Sequence, residues 1–347
     1  MKKQKKLPRR LAILAVIVLL AAGLTGYTVW DNQRIVIRRQ EIVISGLPDS
    51  FDGYTILQIS DLHGRMFGEG QSRLLEAIRS VDYDMIALTG DMSASWGSDS
   101  WLDSTPILTL VEGLQGSPML WVDGNAGPFL IETALFLPTG RTMNEGEQFQ
   151  ALGVHLLTEP WAVTRGEGKI YFTPKLNLSA LEFFEQFQDM LEDQAADMAT
   201  LYGEPGWDEA YLDAAVQAYE RLKQWYEQLK DADEVLIAVD HYPEQRYLAD
   251  EVWPAMGHLD YDLMIAGHNH GGQLRLPFIG AVYIPTISSS RGGWFPEQQD
   301  VMGLQEVMGI PQYISAGLGA SSSFGPLGFR FLCPPEINVL VLRKAEK

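Results

Sequence analysis

Four of the six histidines in this chain stand in a pattern that could hold metal ions. His268 and His270 lie in the run Gly267-His268-Asn269-His270-Gly271-Gly272-Gln273. In an extended segment, side chains two residues apart point the same way, and flanking glycines let other backbone approach closely. His63 follows Asp61 in Asp61-Leu62-His63, and His241 follows Asp240. Gly90-Asp91 and Gly124-Asn125 add two more polar side chains of the metal-binding type. Any one histidine is more often a satisfied polar group than a ligand, so the weight rests on the set. Asp61, His63, Asp91, Asn125, His241, His268 and His270 together offer N and O donors and no sulfur. That donor set suits Mn, Fe or Zn at a reactive site, not a closed structural zinc. Seven ligands exceed the needs of one ion. Two ions sharing a bridging carboxylate would use them all.

Such side chains need elements that bring them together. Short, apolar, β-compatible runs cover Thr55–Ile59, Met85–Leu88, Met119–Val122, Glu234–Val239 and Leu263–Ala266. Each stops at one of the polar clusters just named. Two earlier runs, Arg34–Arg38 and Glu41–Ser45, are also β-rich, and Gln71–Val81 has the period of a helix. Continuous apolar strands between helices belong to sheets covered on both faces. Ligand sites in α/β sheets lie beyond the carboxyl ends of strands. Five strand ends carrying metal-type side chains therefore imply one shared site.

The ordered series D-x-H, G-D, G-N, H, G-H-x-H resembles the calcineurin-like metallophosphoesterase family over about residues 40–345. Gly271-Gly272-Gln273-Leu274-Arg275-Leu276-Pro277 and Ser315-Ala316-Gly317-Leu318-Gly319 resemble a membrane-anchored branch that includes some UDP-2,3-diacylglucosamine hydrolases. The resemblance implies an α/β fold of four layers, αββα, with two divalent metal ions at the sheet edge. Asp61, His63 and His270 would bind one ion, Asn125, His241 and His268 the other, and Asp91 would bridge them. It further implies hydrolysis of a phosphate ester or pyrophosphate bond by a hydroxide shared between the ions. Asp61, Asp91, Asn125 and His241 are then the candidate catalytic residues. Asn125 and Arg275 are candidate substrate contacts, and Arg65 and Arg291 are further cations within reach of the motifs. One departure stands out: the family carries His after the motif asparagine as a general acid, and here that residue is Ala126. General acid catalysis contributes about 10²–10⁴-fold, most for poor leaving groups. Three readings stay open: a leaving group that needs little protonation, another donor such as His155 or His258, or a metal-dependent phosphate-binding protein with weak turnover.

The 347 residues are 46% hydrophobic and 20% charged, ordinary for a globular chain and unlike a disordered or coiled-coil one. The net charge is −19 although six of the 26 basic residues crowd the first ten positions. So acidic a remainder repels a phosphate backbone, which argues against nucleic-acid binding and leaves any attraction for a phosphorylated substrate to local metal charge. Cys333 is the only cysteine, which excludes an intrachain disulfide. Leu11 to Trp30 carries no charge over twenty positions, enough for a helix to span a bilayer's hydrocarbon core. With the basic tail 1–10 before it and three arginines in the ten residues after it, the expected product is a single-pass anchor, residues 11–30, in the cell membrane. Its N-terminus would be cytoplasmic and its catalytic domain, residues 31–347, would lie on the outer face. The rival is a cleaved signal peptide, whose small-residue site Ala21-Ala22-Gly23 would fall inside the apolar run. That location favours a lipid-linked or envelope phosphate as substrate. Within the domain, residues 178–233 read as an inserted hairpin of two amphipathic helices, packed on the domain or lying over the site as a lid. No feature names a protein partner.

Overall fold

A computed structural model describes residues 9–94, 103–134, 137–143, 145–175, 209–244, 260–285, 293–321 and 328–345. Expectations that fall on His258, on Arg291, on the first arm of the hairpin and on most of the basic tail lie outside those residues.

The apolar runs pair into two six-stranded sheets. The first takes β1 (Val36–Ile44), β2 (Thr55–Ile59), β3 (Met85–Thr89), β4 (Met119–Val122), β7 (Val154–Leu156) and β16 (Glu336–Lys344). Their order is β1-β16-β2-β3-β4-β7, with β2, β3, β4 and β7 mutually parallel. The second takes β8 (Trp161–Arg165), β9 (Gly168–Pro174), β10 (Val235–Val239), β11 (Leu263–Ala266), β14 (Gly303–Val307) and β15 (Ile310–Ile314). Here β9, β10, β11 and β15 are parallel, and antiparallel β8 and β14 close the edges. The two short β runs after the apolar segment form one continuous strand, β1, parallel to β16.

Period-two alternation decides which side chain faces which layer. Ile56, Met85, Ala87, Leu120 and Leu340 of the first sheet meet Phe172, Ile237, Val239 and Ile265 of the second in one core between the sheets. The intervening residues Leu57, Ile59, Ile86, Leu88 and Trp121 face outward, where three helices cover them. These are α2 (Ser72–Arg79), α3 (Thr105–Gly113) and α4 (Gly146–Ala151). Leu74, Leu75 and Ile78 of α2 and Ile107, Leu110 and Val111 of α3 recur at helical spacing and point into this layer. On the far side, α5 (Glu209–Leu229) lays Ala215, Ala218, Tyr219 and Leu222 over Leu236, Ala238 and Met264. The helix α5 is thus a cover for the second sheet, and it also touches a hairpin of β5 (Ile131–Ala134) and β6 (Leu137–Thr142). Helices, sheet, sheet and helix make four layers.

One helix stands apart. α1 (Arg9–Asp31) is long and apolar enough to cross a membrane by length and composition, and its apolar side chains are exposed. Its end is pinned to the domain: Asn32 Nδ2 donates to the Arg330 carbonyl at 2.5 Å, and the Arg330 N–H donates to Asn32 Oδ1 at 2.9 Å.

Candidate active site

The loops after β2, β3 and β10 continue the sheet ladders before they turn. Asp61 N–H donates to the Gly90 carbonyl at 3.0 Å, His63 N–H to that of Asp91 at 2.9 Å, and Gly267 N–H to that of His241 at 3.0 Å. Adjacent strand ends therefore hold each other's ligands in register. A cross-sheet link fixes the two layers near the same edge: Gln58, fully buried, donates to Thr89 Oγ1 at 3.0 Å and to the Ala266 carbonyl at 2.8 Å.

The turns are tight. Asp61, His63, Asp91, His268 and His270 all adopt positive φ, between 48° and 68°. Such backbone costs a non-glycine residue about 1–3 kcal/mol and concentrates at functional sites. It turns each side chain back across the strand end, toward its neighbours. The approach is close enough that a Cβ on Gly124 would stand 2.2 Å from Asp91 Oδ1, so only glycine fits there.

The side chains gather into two groups that share Asp91. Asp61, His63, Asp91 and His270 form one, and Asp91, His241 and His268 the other, each with ligand atoms within 4.8 Å of one another. In the first, His63 Nε2 lies 3.3 Å from His270 Nε2 and 3.5 Å from Asp91 Oδ2, and His270 Nε2 lies 3.7 Å from Asp61 Oδ1. In the second, His241 Nε2 lies 3.0 Å from His268 Nδ1, 3.1 Å from Asn125 Oδ1 and 3.4 Å from Asp91 Oδ1.

The outer atoms decide what the inner ones can do. His241 Nδ1–H donates to the Thr89 carbonyl at 2.9 Å, and His268 Nε2–H donates to that of Pro285 at 3.0 Å. Their other nitrogens face each other and the Asn125 carbonyl oxygen, and the raised His241 puts one proton, on its Nε2, between them in the metal-free cluster. A cation in place of that proton would meet these acceptors together, and backbone-anchored imidazoles are the usual outer support of metal ligands. Edges of 3.0–3.4 Å match the ligand spacing around an ion bonded at about 2.0–2.1 Å. The residues therefore fit divalent metals.

Electrostatics agrees. Burial, with the His241 and Arg330 charges, pushes His63 down to about 4 against the pull of Asp91. Burial and His241 take His268 down to about 3, and burial and His63 hold His270 well below the ordinary histidine range. These three rings are neutral, the ligating form. For His241 burial is outweighed by the Asp91 and Asp61 carboxylates, which push it up to about 9. Asp61 rises to about 6 through burial and Asp91, while Asp91 stays well below the carboxylate range because His241 and His63 outweigh its burial.

Other expected residues stand elsewhere. The Arg275 guanidinium is taken up by the Gly271 carbonyl at 2.9 Å, and it lines a cavity that contains none of the seven ligands. Arg65 instead lines a cavity shared with His63, its guanidinium on the Asn32 carbonyl and over the Phe67 ring. His155 lies in β7, stacked on Trp161 at 4.4 Å. Ala126 is buried, and its backbone N–H donates to Asp91 Oδ1 at 2.6 Å, so this position orients the shared carboxylate without a side chain.

Two contributors carry no motif. Arg330 is fully buried, and its guanidinium donates to the carbonyls of Gly319 (2.6 Å), Ala316 (2.6 Å), Cys333 (2.7 Å) and His270 (3.0 Å), bracing the His270 loop from behind. The Tyr242 ring packs against His241 and His268, with centroids 5.0 and 4.6 Å away. The only sequence signal for Arg330 is a cation inside the apolar stretch Phe329-Arg330-Phe331-Leu332.

Two sheets whose parallel strands bring histidines and carboxylates into clusters that could hold metal ions are the scaffold of a metallophosphoesterase. The family model described as calcineurin-like phosphoesterase matches residues 54–272, and the chain belongs to that family. It is 30% identical over 107 residues to the phosphodiesterase YaeI of Escherichia coli (strain K12), covering 30% of this chain and 32% of that protein. It is 35% identical over 98 residues to the uncharacterized metallophosphoesterase YkuE of Bacillus subtilis (strain 168), covering 28% and 30%. The chain thus spans about a third of the length of these relatives. Among solved structures, the phosphopantetheinyl hydrolase of Mycobacterium tuberculosis matches with a TM-score of 0.38 at 14% identity, over 77% of this chain and 91% of that one.

Proposed function

We propose that this chain is a membrane-anchored phosphoesterase that uses two divalent metal ions, Mn, Fe or Zn, to hydrolyse a phosphate ester or pyrophosphate bond. The observation that carries the reading is the pair of ligand groups sharing Asp91. Asp61, His63 and His270 serve one ion and Asn125, His241 and His268 the other. When bound, the ions supply an activated water and neutralise phosphoryl charge. The protein's own part is positional. Backbone carbonyls fix the rings of His241 and His268, the Ala126 N–H fixes Asp91, and buried surroundings keep three imidazoles unprotonated. In this reading the apolar helix α1 is the anchor, with the basic tail inside and the domain on the outer face, which suits a lipid-linked or envelope phosphate.

The Escherichia coli relative is named a phosphodiesterase, so a diester with an activated leaving group is the first substrate to test. Full-length protein loaded with Mn²⁺ should hydrolyse bis(p-nitrophenyl) phosphate, and Asp91→Ala should lose at least a thousandfold in rate and most of its bound metal. Equal rates for the two proteins would overturn the enzymatic reading. Ala126 in place of an imidazole favours one alternative, a metal-dependent phosphate receptor with weak turnover. Metal-dependent binding of phosphate without product formation would select it.

A further inference from the structure

A cavity of about 770 Å³ opens between the end of α1 and the metal-ligating cluster, within the size range of ligand pockets. Its lining mixes apolar and polar side chains, Thr25, Thr28, Asn32 and Gln33 among the latter. Leu24 and Val29 of α1 line it together with Phe329 and Phe331; His63, one of the seven ligands, and Arg65 line it too, with Arg65 held on the Asn32 carbonyl at the end of α1. The walls are fixed relative to each other by the Asn32–Arg330 backbone pair and by the Arg65 guanidinium on the Asn32 carbonyl. Phe331 is also hydrogen-bonded into the hairpin of β12 (Arg275–Leu276) and β13 (Gly280–Ala281), through its N–H to Gln273 at 2.9 Å and its carbonyl to Arg275 at 3.0 Å. That hairpin exposes Leu276, Phe278 and Ile279 at its turn, with Phe278 fully exposed. Exposed apolar surface of this kind is what a bilayer contact needs.

We propose that this cavity takes the hydrocarbon chain of a membrane-resident phosphate ester, which enters beside α1 and presents its phosphate at His63 and Arg65. The inference rests on the phosphoesterase reading above and narrows its substrate to an amphiphile from the outer leaflet. A water-soluble ester would use the polar side chains alone and leave the apolar ones without a role. An amphiphile matches both at once, and its chain leaves lipid for apolar side chains at no cost in hydration.

The test uses full-length protein in phosphatidylcholine nanodiscs and two diesters with the same p-nitrophenyl leaving group. One carries a methyl and the other a hexadecyl group on the second ester oxygen. We expect kcat/KM for the hexadecyl diester to exceed that for the methyl diester by at least tenfold. A Cβ at position 328 would meet nothing within 4 Å, so Gly328→Trp can project into the cavity. That variant, and Thr28→Trp on α1, should each bring the ratio close to one. A ratio of one in the unaltered protein, or a high ratio that survives both substitutions, overturns the cavity assignment while leaving the phosphoesterase reading intact. If neither diester is cleaved, that reading fails instead, and crosslinking then decides the cavity. Hexadecyl phosphate with a terminal diazirine should label residues 24–29 or 329–331, and labelling confined to other residues overturns the proposal.

Discussion

Asp91 sits at nearly equal distances from two imidazoles that end in opposite states. Its Oδ2 faces His63 at 3.5 Å and its Oδ1 faces His241 at 3.4 Å, yet only His241 is pushed up, because Asp91 also hydrogen-bonds that ring and Asp61 adds to the attraction there, while His63 feels the charges of His241 and Arg330. The metal-free cluster keeps one positive charge against its carboxylates, and a bound cation takes over that role. Ala126 shows how one position can lose a side-chain function and keep a backbone one. Its N–H holds Asp91 whatever stands at Cβ. Restoring an imidazole there, Ala126→His, should therefore leave the metal content intact and raise hydrolysis of unactivated alkyl esters by about 10²-fold relative to aryl esters. Steady-state rates on a matched alkyl and aryl pair check this; an unchanged ratio would mean that protonation of the leaving group is not what the chain lacks.

The strands carry the ligands, and their legibility differs. Those that end in ligands could be read because apolar runs of four or five residues stop at polar clusters, and the structure agrees with their bounds to within a residue. What could not be read was the join between sheets. Gln58 occupies an apolar strand and looks like a solvent-facing break, yet it reaches across the core to Thr89 and Ala266. Arg330 was equally hidden, since four carbonyl partners spread over sixty residues leave no local pattern. Similarly, the two early β runs read as separate because arginines interrupt them, whereas β1 is an edge strand in which Arg39 is exposed and Arg38 pairs with the buried Glu336 of β16. Arg275, placed near the motifs by sequence distance alone, spends its guanidinium on a neighbouring carbonyl. Arg330→Met should leave buried carbonyls without donors, at about 1–3 kcal/mol each. We expect a lower denaturation midpoint and reduced metal occupancy with the Asp61, His63 and His270 group affected first, read by elemental analysis. A normal metal content in the variant would show that the brace is dispensable.

At the scale of the molecule, the four layers hold two sheets face to face, and the two ligand groups lie where both sheets end. Asp61 and Asp91 come from the first sheet, and His241, His268 and His270 from the second, so each group of ligands spans both. Removing metal should thus loosen the whole domain. Chelation should lower the melting midpoint by about 5 °C or more, given about 2.7 kcal/mol for a ligand at a hundred times its Kd and the usual conversion to temperature. Differential scanning calorimetry with EDTA, then with Mn²⁺ restored, measures it; a midpoint that ignores chelation would mean that the sheets need no tie. The Asn32–Arg330 pair has a different kind of consequence. It leaves no slack between the end of α1 and the loop behind His270. If α1 lies in a bilayer, the reactive centre rides at one fixed height above it, like a tool on a short stem. Phosphates a few ångströms from the lipid surface come within its reach, and those farther out in the envelope must travel inward to meet it.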